Sequence, residues 1–448
     1  MSRPPSAEAV RRSAFERWFG AGVEAVAPKQ VLKEALGAPG GAFQLLGEAL
    51  PAGVGVVGLA IGKAACAMAR ELTRTAGPLL RRGLAITKQG HSFPVDGWEV
   101  REASHPVPDD RSAAAGLGAL SFVKSAKGSD VLVVLLSGGA SSLTWSPISG
   151  ISLDDIAGVG AWLLASGADI EEVNCVRKHL GAVGGGKLAL ASNAGRVHLF
   201  AISDVCDDRL DVIGSGPCTG DPTTWAEALD VVRRHGGLDR LPESVLRLLQ
   251  RGARGEIAET PEWDHPKLVG VHADVVAGNA DARRAVCAAA RADGVASVVD
   301  GGLSLAGEAR VLGSRLVAEA RADLRARGGN GLYVAGGETT VTLTGSGEGG
   351  RCQELALAAA LAEAGQRDWA LMAAGTDGGD GPTDAAGAHA DGLTVARGAR
   401  AGWRATDALR SHDSHRFFRA EGGVLRTGPT QTNVMDLVMV GIGELPPT

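Results

Sequence analysis

Short apolar runs that end in Gly, Ser or Asp and give way to Ala-rich stretches recur along this chain. The first set is "VGVVGLAIG", "GLAIT", "VLVVLLSGG" and "VHLFAISD". Such runs do not alternate polar with apolar, so they suit strands buried on both faces, with helices covering a parallel sheet. The rhythm stops at residues 253–267, "ARGEIAETPEWDHPK", which is polar and carries two prolines. It resumes with "VGVHADVVAG", a helix at about 280–292, "ASVVD", and a helix at about 305–326. "LYVAGGE", "TVTLTG", "WALMAAGTDGGDG" and "LVMVGIG" follow. The expectation is two α/β domains, 1–255 and 256–448, with largely parallel sheets covered by helices. Residues 1–12 read as a frayed end, and about Ser13 to Leu36 as an amphipathic helix interrupted near "APK".

Length agrees, since 448 residues suffice for two domains with full cores. Glycine, 65 of 448, is about twice its usual share. It clusters beside apolar runs, as strand-to-helix turns require. A net charge of −6 speaks against nucleic acid or an anionic membrane as partner. The six cysteines are scattered without a CxxC pair, which fits neither a disulfide framework nor a zinc site. No apolar run reaches the ~18–20 residues of a membrane span. The first residues lack the apolar stretch of a secretory signal, so the expected location is cytoplasmic.

In open α/β sheets ligands lie beyond the C-terminal strand ends. "VLVVLL" ends in Ser137, Gly138, Gly139, Ala140 and Ser141, a turn whose N–H groups and following helix suit an anion. A plain packing turn is the alternative. "VHLFAIS" ends in Asp204, placed to bind Mg²⁺ or accept a hydroxyl proton, or else to cap a helix. Glu338 follows "LYVAGG", and Asp377, Asp380 and Asp384 follow "WALMAAG". Cations gather at the same edges: Lys63 after "GVVGLAIG", Lys88 and His91 after "GLAIT", Arg351 after "GSGEGG".

With 9 lysines against 36 arginines, Lys63, Lys178 and Lys187 beside glycine runs stand out. A compact ammonium at a glycine turn can act as a point charge on phosphate. For Lys178 and Lys187 a solvated basic helix face is the alternative. Two motifs are excluded. Gly58 to Gly62 is one residue short of a Walker A loop and Lys63 is followed by Ala64; the same segment fails the GxGxxG spacing.

The blocks "GKAA", "TKQGH", "SHPVPD", "SGGASSL", "NCVRKHLGAVGGGKLA", "AISDV", "VIGSGP", "GDPTT", "GGETTV", "GGRCQE", "AAGTDG", "DGPTDAAGA" and "TGPTQTNVMDL" resemble, in order, those of class-II glycerate kinases with a C-terminal MOFRL domain. The resemblance covers about residues 13–442. It implies phosphorylation of D-glycerate at its 2-hydroxyl by ATP and Mg²⁺ in a cleft between two α/β domains. It makes Lys63 and Arg351 the active-site cations, and Asp204, Glu338 and Asp377 acidic positions of the same cleft. Asp204 is our choice of base, and Asp204, Glu338 and Asp377 the candidate metal ligands. Ser137, Gly138, Gly139, Ser141, Lys88, His105, Arg177 and Lys187 are the candidate substrate or nucleotide contacts in the first half. Gly336, Gly337 and Thr376 are those in the second. This chain departs from the family pattern at Ala140 and Cys206, at Cys352, where Asn is usual, and at Gln431, where Gly is usual. The alternatives are a kinase of another short hydroxy acid, or a hydroxypyruvate reductase. No nucleic-acid or membrane partner is expected, and the chain should be a monomer or homodimer.

Overall fold

The computed structural model describes residues 7–37, 43–51 and 53–446. They form two compact units: Pro28 to Val276, and the chain before Pro28 together with everything from Ala277 on.

The first unit is built on a six-stranded sheet: β1 Gly55–Ile61, β2 Leu80–Lys88, β3 Trp98–Ala103, β4 Asp130–Leu136, β5 Arg196–Ile202 and β6 Val271–Ala277. Its order is β3-β2-β1-β4-β5-β6. The pairs from β3 to β5 are all parallel. β1 and β4 are buried along their whole length, which is why they read as unbroken apolar runs. A second core in the same unit gathers four helices, Leu153–Ser166, Ile170–Leu180, Trp225–Arg234 and Glu243–Ala253, around Trp145, Trp162 and Trp225. Capping boxes at Ser152, Asp169 and Thr224 start the first three of these helices.

The second unit carries β7 Val298–Leu305, β8 Gly331–Gly337, β9 Trp369–Gly375, β10 Gly387–Asp391, β11 Val424–Leu425 and β12 Asp436–Ile442. Their order is β7-β8-β12-β9-β10-β11. Here the expectation of a largely parallel sheet is corrected. Only β7 and β8 pair in parallel, and every other pair is antiparallel. β12 returns from the chain end between β8 and β9 and runs against both. β7, β8 and β9 still point the same way, so the βα rhythm was legible while the inserted strand was not.

Three further expectations move. "TVTLTG" forms no strand, only an isolated bridge at Thr340. "VGVHADVVAG" becomes β6, beside β5 in the first sheet, so the first unit extends past residue 255. The N-terminal helix begins at Ala7, six residues ahead of Ser13, and breaks near "APK" as expected. It belongs to the second unit, where Phe15 and Trp18 are buried and Trp18 Nε1 donates to Asp293 at 2.9 Å. Gly22 lets this helix approach the one at Asn279–Ala292, since a Cβ there would lie 2.8 Å from Val286 Cγ2.

Candidate active site

In the first unit the C-terminal ends of β1 and β4 interlock. Ser137 N–H donates to Ile61 O, and Lys63 N–H donates to Gly138 O, each at 3.0 Å. Buried Ser137 also accepts from Ala64 N–H through its Oγ at 3.0 Å. Gly62 has φ +128°, and a Cβ on it would fall 2.2 Å from Ser137 Oγ, so only glycine closes this joint. Gly139, φ +86°, opens the short helix Ala140–Leu143, and a Cβ there would reach 2.8 Å from His105 Cδ2. Lys88 and His105 line one pocket with Gln89, Ser104, Pro106 and Val107. Lys63, Lys88, His105, Ser137, Gly138 and Gly139 are thus drawn to one sheet edge. Asp204 lies two residues past the end of β5 and starts no helix, which removes the capping alternative.

The other predicted residues of this unit divide. Ser141 and Arg177 share a second small pocket. Lys178 is buried and paired with Asp221 at 3.2 Å and Asp211 at 3.6 Å, so neither the ligand contact nor the solvated face describes it. Lys187 donates its ammonium to the carbonyls of Lys178 and, at 2.7 Å, Gly181. These lie at the C-terminal end of helix Ile170–Leu180, where carbonyls lack helical partners and a cation meets the negative end of the dipole.

In the second unit, antiparallel β12 brings its first residue to the edge where β8 and β9 finish. Asp436 lies opposite both Gly337 and Gly375. Arg351 opens helix Arg351–Ala362 and is held by Asp436 through two bonds, Nε at 2.5 Å and Nη2 at 2.8 Å. Its Nη1 reaches Glu338 at 2.6 Å. A cation in the first turn opposes the helix dipole, and these carboxylates offset that. Burial alone would push the Arg351 pKa down; Asp436 and then Glu338 hold it above the usual value. Cys352, in the family's Asn position, is buried, which pushes its thiol pKa up, and neighbouring Asp436 adds to the effect.

The acidic loop after β9 separates by role. Asp377 accepts from Gly379 N–H at 2.9 Å. A Cβ on Gly375 would lie 3.1 Å from Asp377 Oδ1 and 3.4 Å from Asp436 Oδ1, so two carboxylates converge over a bare backbone. Asp380 is buried and accepts from the N–H groups of Cys352 and Gln353 at 3.0 and 2.9 Å, holding the start of the Arg351 helix. Burial raises its pKa to about 6. Asp384 pairs with Arg426 at 2.8 Å. Thr376 is spent on structure: its hydroxyl donates to Met435 O at 2.6 Å and accepts from Val434 N–H at 2.8 Å, fixing the approach to Asp436. Gly336 makes room for the Asn279 amide, and Gly337 for Leu305 O. Gln431 has φ +62°, the left-handed conformation that the family's glycine adopts freely.

Asp436 is the residue that sequence reasoning missed. Its signal was a single acid entering an apolar run, "NVMDLVMV", but only residues following strands were considered. An antiparallel strand delivers its first residue to the same edge.

Residues 14–250 match the family described as "Domain of unknown function (DUF4147)", and residues 331–436 match the MOFRL family. D-glycerate 2-kinase of Thermotoga maritima is 39% identical over 391 residues, spanning 86% of this chain and 90% of that one. The chain belongs to the glycerate 2-kinase family. A protein of Agrobacterium vitis named putative hydroxypyruvate reductase is 40% identical over 390 residues, 85% of this chain and 86% of its own. The crystal structure of glycerate kinase from T. maritima matches with a TM-score of 0.79 at 36% identity, covering 97% of this chain and 100% of the other. Within this glycerate 2-kinase frame, no three His, Cys, Asp or Glu among the described residues form a metal cage. Magnesium that arrives on a nucleotide needs only one or two carboxylates, and the pair over Gly375 supplies hard oxygen donors of that kind.

Proposed function

We propose that this chain transfers the γ-phosphoryl group of ATP to the 2-hydroxyl of D-glycerate. The observation that carries the reading is the joint of Gly62 with Ser137 and Gly138. It fixes Lys63 at the C-terminal ends of two parallel strands, where such sheets bind ligands. Phosphoryl transfer asks for positioning and charge neutralisation more than for covalent chemistry. Lys63 and Arg351 are the cations we assign to charge neutralisation of the transferred phosphoryl group. Asp204 accepts the proton of the 2-hydroxyl. The Ser137–Gly139 turn orients an anionic group through its backbone. Asp377 and Asp436, the carboxylate pair over Gly375, would hold Mg²⁺, which when bound supplies neutralising charge to the phosphate oxygens.

Reduction of hydroxypyruvate is the poorer account, because the first βα turn lacks the dinucleotide spacing. The test uses purified protein with two mixtures: D-glycerate, ATP and MgCl₂, or hydroxypyruvate and NADH. Glycerate-dependent release of ADP is expected, with flat absorbance at 340 nm. NADH consumption without ADP release overturns the proposal.

A further inference from the structure

Helix Ile170–Leu180 carries Asn174, Arg177 and Lys178, spaced to share a face. Two of these are satisfied. Lys178 meets Asp221 and Asp211, and Asn174 Oδ1 accepts from Ser215 Oγ at 2.8 Å. Arg177 is not. Its Nε is buried without a hydrogen-bond partner, and no ion pair reaches the guanidinium among the described residues. The group lies over the Trp145 ring, 5.0 Å from its centroid. Burial alone acts on its pKa, pushing it down, with no carboxylate near enough to offset the effect. Proteins seldom leave a charge in that condition unless something else completes it.

The pocket that Arg177 lines contains no acidic residue. Ser141, Thr144 and Ser215 bring hydroxyls to it, and Gly184 and Gly214 bring bare backbone. Ser215 is held at φ +61° between two left-handed glycines, a strained position for a side-chain-bearing residue. The enclosed space is about 10 Å³, room for about one water-sized group. It therefore admits at most the end of a small polar ligand and not a nucleotide. A guanidinium offers a planar fork, which matches a carboxylate in two-point contact. A single cation balances one carboxylate but not a triphosphate.

We propose that Arg177 receives the carboxylate of the hydroxy-acid substrate in this pocket. Ser141 stands beside it, on the helix that opens at Gly139. The assignment rests on the kinase reading and deepens it. The acid end binds at Arg177, and the hydroxyls face the side of the Ser137–Gly139 turn where Lys63 is held.

The test compares wild type with Arg177→Met and Arg177→Lys. Each is assayed for KM toward D-glycerate and toward ATP, for turnover of glycerol, and for melting with and without D-glycerate. For Arg177→Met we expect KM for glycerate to rise about 10²-fold while KM for ATP stays within about twofold. Preference for glycerate over glycerol, which lacks the carboxylate, should collapse. The ligand-free melting temperature should hold or rise, because a guanidinium whose buried Nε lacks a partner has been removed. Added glycerate should no longer stabilise the variant. Arg177→Lys keeps the charge without the fork and should fall between; it carries the same comparison should the Met variant fail to fold. A rise in KM for ATP alone would assign the pocket to phosphate. Unchanged constants with a lower melting temperature would make Arg177 structural. Either overturns the proposal. Failure of the kinase reading is separate: wild type would then turn over no glycerate at all, and loss of glycerate-induced stabilisation in Arg177→Met would still report on the pocket.

Discussion

Three lysines flank glycines in a chain that otherwise prefers arginine, and the structure gives them different work. Lys178 is a buried ion-pair partner and Lys187 a staple at a helix end. Lys63 alone stands at the interlocked turn of β1 and β4. Lysine scarcity singled out all three, yet it could not separate the two spent on structure from the remaining candidate for a ligand contact. That depended on Asp211 and Asp221, more than thirty residues away in sequence. Lys63→Arg decides whether the remaining inference holds. A longer planar fork pushes the phosphate away from the turn, and a displacement of ~1 Å costs on the order of 10²-fold in rate. The expected outcome is a kcat/KM lower by about that factor with an unchanged melt. Near-full activity in the Arg variant would reduce Lys63 to a surface charge.

The elements best read from sequence were the buried parallel strands, whose apolar runs carry no ambiguity of face. β12 was seen as a strand, but its place between β8 and β9 was not, because antiparallel insertion leaves no local trace in "LVMVGIG". Asp436 was missed for that reason. "TVTLTG" alternates like a strand, yet in the structure it pairs only at Thr340. At the end of helix Ile170–Leu180, burial pushes the Lys187 ammonium down to about 8, against ~10.4 for an unfolded chain. A folded pKa below the unfolded one means that the unfolded chain binds more protons between those values. Stability contributed at this site should therefore rise as pH climbs from about 8 toward ~10.4. Urea midpoints of wild type and Lys187→Met, compared across that range, should diverge in favour of wild type. A difference that stays flat with pH contradicts the burial of this ammonium.

At the scale of the molecule, two α/β units were legible because the rhythm of strands stops and restarts. Their exact membership was not. The helix from Ala7 is chemically an ordinary amphipathic segment, and its partner, the Asn279–Ala292 helix, lies more than 250 residues further on. β6 follows the polar stretch that looked like a boundary, but it closes the first sheet. The candidate residues divide between the units as the resemblance implies, with Lys63 and Asp204 in one and Arg351, Glu338 and Asp377 in the other. The central claim is transfer to the 2-hydroxyl of glycerate, and its product identifies it. Enolase consumes 2-phosphoglycerate and not the 3-isomer. Purified protein with D-glycerate, ATP and MgCl₂, coupled to enolase alone, should produce phosphoenolpyruvate at the rate of ADP release. Phosphoenolpyruvate that forms only when a phosphoglycerate mutase is added would show attack by the 3-hydroxyl and contradict the account.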